Sequence, residues 1–149
     1  MTKDVVVSIK GLQFQGLNQE DEVVTINPGE YYKKNDGHYI IFHEMTEGME
    51  LETKNIIKFK KNELNLTKKG LVNAHMVFEE NKKSISSYIT PFGELIFGID
   101  AKSIHFTESE NQILIEVDYG LEVNYEFLSD CKIVMDIRPK AFAGDFLTS

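Results

Sequence analysis

The sequence predicts an all-β protein: a single antiparallel up-and-down β-barrel of about 8–10 strands with no substantial helix. Three observations predict it. Apolar and polar residues alternate with period two along most of the chain, which gives a strand one dry and one wet face. Turn residues punctuate that alternation at roughly 8–12-residue spacing. No segment carries sustained i, i+3, i+4 apolar spacing behind a helix cap. Almost every connection reads as a hairpin, so the strands form a meander, and closing a meander removes its two exposed edges. A two-sheet sandwich is the runner-up.

Asp4 to Gln15 opens with Val5, Val7 and Ile9 on one face, then Leu12 and Phe14 in the other phase. Gly11 falls at the change, where a bulge or corner is expected. Gly16 to Asn18 turns the chain into Glu20 to Lys34. Within that stretch Asn27-Pro28-Gly29-Glu30 has proline and glycine at the central positions of a type II turn, so the region is two short strands or one bent strand. Asn35-Asp36-Gly37 is a hairpin turn, because these residues tolerate positive φ.

Gly37 to Lys61, GHYIIFHEMTEGMELETKNIIKFKK, reads as two strands folded back at Thr46-Glu47-Gly48. In the second, Leu51, Thr53, Asn55, Ile57 and Phe59 share one face, and Glu52, Lys54, Ile56, Lys58 and Lys60 the other. Shorter strands follow through Leu64 and Leu66, through Ala74, Met76 and Phe78, and from Ser84 to Phe92. Leu95, Phe97 and Ile99 precede Ile104 and Phe106. Ile113 to Tyr119 alternates cleanly, Gly120 separates it from Leu121 to Phe127, and Ser129-Asp130 turns the chain into Ile133 to Arg138. Residues 1–149 form one domain, with 141–149 a short tail whose Phe142 and Phe146 either plug one end of the body or lie disordered.

The composition is that of a globular chain, 42% hydrophobic and 27% charged over 149 residues, long enough to bury a core. A net charge of −8, with Arg138 the single arginine, argues against nucleic acid, whose backbone calls for clustered basic residues. Runs such as Lys58 to Lys61 and Lys68-Lys69 read as solvated strand faces and turns. The lone Cys131 excludes an intramolecular disulfide and a thiolate metal cluster. No apolar stretch reaches membrane-spanning length, and the first residues do not read as a secretory signal. The expected compartment is the cytoplasm.

The order of short motifs carries a resemblance. Gly29 and Tyr31, Tyr39 to Glu44, Thr53-Lys54, Lys69-Gly70, Met76 to Phe78 and Tyr88 to Gly93 occur in the order and spacing of the YwiB-like family. These are small Firmicute proteins of unassigned function. The resemblance spans nearly the whole chain and implies a calycin-like (lipocalin-like) barrel. It departs from the family pattern at Phe42-His43-Glu44, where the family has Tyr-Glu-Glu or similar, and at Lys69, where arginine is frequent. It implies a fold and no catalytic residues.

Chemical signatures are few. The chain has no GxGxxG, phosphate-binding loop, HExxH, CxxC or GxSxG. His38, His43, His75 and His105 lack metal-site spacing, and they read as strand-face or rim residues; no metal or cofactor is expected. Two groups of residues are ligand-binding candidates. Adjacent strand residues face opposite ways, so one of His43 and Glu44 looks inward, and periodicity does not choose between them. An inward Glu44 needs a partner; a surface Glu44–Lys54 pair is the simpler expectation. Tyr88 and Thr90 offer hydroxyls, with Phe92 at the mouth of a cavity, though a packed ring with its hydroxyl at the rim explains Tyr88 equally. The leading functional expectation is a non-enzymatic barrel holding a small, partly apolar or amphipathic ligand. The alternative is a structural or interaction module, such as a homodimer, filled by its own side chains. Acid–base catalysis through Glu44 or a histidine comes third.

Overall fold

The structure, a computed structural model, describes residues 1–11, 24–45, 51–142 and 144. The alternation becomes ten strands: β1 (Asp4–Lys10), β2 (Val24–Lys34), β3 (Gly37–Met45), β4 (Glu52–Lys60), β5 (Glu63–Gly70), β6 (Asn73–Glu79), β7 (Lys82–Thr90), β8 (Gly93–Ser109), β9 (Gln112–Val123) and β10 (Glu126–Pro139). Each pairs antiparallel with the next, and β10 returns to β1, closing the barrel. The predicted meander and its closure are both present. A single 3-10 turn, Lys140–Phe142, follows β10 and leaves Phe142 exposed rather than plugging an end.

The inner faces follow the sequence parity. Val5, Val7 and Ile9 of β1, Ile57 and Phe59 of β4, and Leu64 and Leu66 of β5 are buried. In β8 the inward set shifts from Phe97, Ile99 and Ala101 to Ile104 and Phe106, because a bulge between Ala101 and Ser103 inserts one residue. At mid-barrel Ile40, Ile57, Leu66, Met76, Phe97 and Met135 are 0% exposed. No water-sized sphere touches them from inside or outside, so the barrel's own side chains fill its middle.

Three expected breaks are absent. Asn27-Pro28-Gly29-Glu30 makes no turn, since β2 is continuous through it, the single-strand alternative of the two that the sequence leaves open. Pro28 pairs with Val6 of β1, and the β2–β3 ladder begins only at Gly29, so the missing proline N–H costs that ladder nothing. Gly29 supplies room rather than a special φ: a Cβ there would stand 2.9 Å from the Ile41 carbonyl. Gly120 lies inside β9, and Ser129-Asp130 lies inside β10 beyond a bulge at Phe127/Ser129. The turn is instead at Asn124-Tyr125, with φ of 51° and 70°. Cys131 is therefore a strand residue packed against the core. The predicted positions of Leu12, Phe14, the Gly16–Asn18 and Thr46–Gly48 turns, and Phe146 lie outside the described residues.

The barrel has two distinct ends. The near end, where β1 begins, carries the turns Asn35-Asp36, Lys61-Asn62, Glu80-Asn81 and Glu110-Asn111. The far end carries Leu71-Val72, Pro91-Phe92 and Asn124-Tyr125.

Candidate functional site

On β5 the inner face continues from Leu64 and Leu66 to Lys68, on β4 from Ile57 to Asn55 and Thr53, and on β3 from Ile40 and Phe42 to Glu44. Strand register then aligns Phe42, Asn55, Lys68, Ala74, Tyr88 and Leu95 in one row around the far wall, with Glu44 opposite Thr53 one step beyond. The result is a polar network inside the barrel. Lys68 Nζ donates to Glu44 Oε1 at 2.5 Å and to Asn55 Oδ1 at 2.9 Å, and Asn55 Nδ2 donates to the same Glu44 oxygen at 2.8 Å.

Lys68 is 5% exposed and Asn55 fully buried, whereas the Glu44 side chain is 22% exposed. Desolvating two charges is repaid only when geometry and hydrogen bonds are good, as they are here. Among the described residues the third Lys68 N–H and Glu44 Oε2 carry no hydrogen bond.

Tyr88 completes the wall. Its ring stacks on Phe97 at 4.7 Å, and burial, followed by the nearby Glu44 charge, pushes its hydroxyl pKa up to about 12. The hydroxyl therefore stays a neutral donor at ordinary pH. Ser86 Oγ, on the same face of β7, and Asn27 Nδ2 of β2 are buried without a hydrogen-bond partner among the described residues. Continuing the β2–β3 register two residues past Gly29↔Phe42 sets Asn27 across from Glu44.

Of the predicted site residues, Glu44 and Tyr88 share this interior wall. His43 points outward to Glu52 at 3.3 Å. The Thr90 hydroxyl is used by the β7–β8 turn, donating to the Gly93 carbonyl and accepting from the Phe92 N–H. Phe92 is 89% exposed on that turn. The expected surface Glu44–Lys54 pair is absent: Lys54 stands opposite His43 on the outside, and Lys68 takes its place. Lys68 is therefore not the solvated lysine that the Lys68-Lys69 run suggests, and its i, i+2, i+4 relation to Leu64 and Leu66 marks it as inward.

At the near end His38 is buried rather than at a rim. It stacks on Phe59 at 4.6 Å, meets the edge of Phe106, and bonds the Tyr31 hydroxyl through Nδ1 at 2.6 Å. Glu108 lies 3.7 Å from Nε2, and burial lowers the imidazole pKa despite it. Outside this plug an open depression of about 350 Å³ is lined by Asp36, Lys60, Lys61, Asn62, Glu63 and Glu79.

A family model described as a domain of unknown function, DUF1934, matches residues 7–135. Among solved structures, the ywiB protein from Bacillus subtilis is similar, with a TM-score of 0.73 at 19% identity over 92% of each chain. That likeness is one of fold. No curated protein matches the chain.

Proposed function

Since the chain belongs to the DUF1934 family, whose description names no activity, we propose a function from the site itself. The protein is a non-enzymatic, calycin-like barrel of the cytoplasm that binds a small, partly apolar ligand at its far mouth. The observation that carries this reading is the Glu44–Asn55–Lys68 network. Among the described residues it keeps one donor and one acceptor without a partner, near the apolar side chains of Tyr88 and Leu95, which matches the usual pattern of mostly apolar sites with a few placed polar groups. The packed middle of the barrel limits the ligand to the mouth.

Native mass spectrometry of the protein purified from its own host tests the reading. A reproducible extra mass, lost on denaturation and lost in the Glu44→Gln/Lys68→Met double variant, supports it. A clean apo mass at all charge states favours the second reading, a side-chain-filled interaction module, which the fully buried central layers also support.

A further inference from the structure

Large apolar side chains are exposed together on the outside of the far half, across the adjacent strands β7 to β10. Ile85 and Ile89 stand on the outer face of β7, Phe92 on the β7–β8 turn, Tyr125 on the β9–β10 turn, and Phe127 and Leu128 at the start of β10. Register puts the two apolar flanks on the same face: Ile85 is opposite Gly98, Gly98 opposite Glu122, and Glu122 opposite Phe127. Gly98 and Gly120 keep the floor low between the apolar flanks. The Glu122 side chain lies over Gly98, held by Lys83, and the Phe127 ring lies over Gly120.

We propose that this face binds a second copy of the chain in an isologous dimer. The six apolar residues are between 41% and 89% exposed. At roughly 150–250 Å² for each large residue when fully exposed, they offer about 550–900 Å², a range that includes the area one partner gives to a standard-size interface. An exposed apolar patch of that size on a monomer is unusual. The outward residues between the flanks are charged, Lys83 paired with Glu122 and the carboxylates of Asp100 and Asp130 beside Gly120, so a copy related by a two-fold axis brings its Lys83 to an acidic centre. Tyr125 supplies an independent observation. A bulky residue at φ 70° occupies a turn position that glycine fills without strain, and such strain persists where a side chain is needed for function.

Sedimentation equilibrium of the full chain tests this, with Ile89→Asp/Phe127→Asp as the disrupting variant and Tyr32→Asp, exposed at the near end, as the control. Both altered residues face solvent, so thermal midpoints confirm folding, and the milder Ile85→Lys serves if the double variant unfolds. The expected result is a dimer whose dissociation constant rises about 100-fold or more in the double variant and stays unchanged in the control. A monomer at every concentration, or a dimer equally tight in the double variant, overturns the proposal. So does a monomer that co-sediments with phosphatidylcholine vesicles through the same residues.

Discussion

The two ends of the barrel are built on the same ladder and solve the burial of polar groups in opposite ways. At the near end the row His38, Phe59, Leu64 and Phe78 is aromatic and aliphatic apart from one imidazole. That imidazole is stacked, hydrogen-bonded to Tyr31 and neutralised by burial. At the far end the equivalent row carries an amide and an ammonium, closed by a carboxylate that still reaches water. The near end is a plug. The far end keeps charged groups where solvent enters, and it is the end where β7 to β10 expose large apolar side chains on the outside. Burial is complete where side chains need nothing from outside, and incomplete where they have something to offer.

The largest expected effect strikes the plug. Phe59→Ala removes the platform under His38 and should cost about 3–5 kcal/mol in urea unfolding. Lys68→Met should cost about 2–4 kcal/mol, because it leaves the Glu44 carboxylate in the barrel with Asn55 alone. Adding Glu44→Gln should recover most of that loss. Additive single costs in this pair would show that the far-end groups do not act as a unit.

The pH profile separates the ends further. Burial sets the folded pKa of His38 below its ordinary value, Lys33 acting the same way and Glu108 opposing. The unfolded chain therefore takes the proton first. The stability contributed by neutral His38 is full above about pH 6.5 and is lost as pH falls toward the folded value; His38→Gln should flatten that slope. Tyr88 behaves in the reverse sense. Its folded pKa of about 12 lies above the ordinary tyrosine value of about 10, so its contribution is full below pH 10 and is lost as pH rises toward 12. Tyr88→Phe should shallow the alkaline limb of the thermal midpoint, with Tyr119, also raised by burial, supplying what remains. The smallest effect belongs to the outer wall: His43→Ala should change stability by less than about 0.5 kcal/mol, as its partner Glu52 is equally exposed.

Much of the barrel was legible along the chain. The parity of Val5, Val7 and Ile9, of Ile57 and Phe59, and of Ile113 to Tyr119 survived intact, since one buried face fixes which alternate residues turn inward. The turns were read well where their chemistry was overt, as at Asn35-Asp36, and missed at Asn124-Tyr125, where a tyrosine holds a conformation that composition associates with glycine. Pro28-Gly29 misled in the opposite direction, because its role depends on which neighbour pairs at Pro28. For the site, parity tied Glu44 to Ile40 and Phe42, but it tied His43 to Ile41 equally well.

Sequence alone determined the all-β class, the meander and most of the inner face, because these depend on local alternation and turn chemistry. The network of Glu44, Asn55 and Lys68 was decided by tertiary structure. Its members come from three strands, and only register across two ladders brings them within hydrogen-bond distance. Closure of the barrel decided the rest. It set Glu44 on the inside with Lys68 rather than outside with Lys54, filled the middle with side chains, and gathered the apolar residues of β7 to β10 on one outer face.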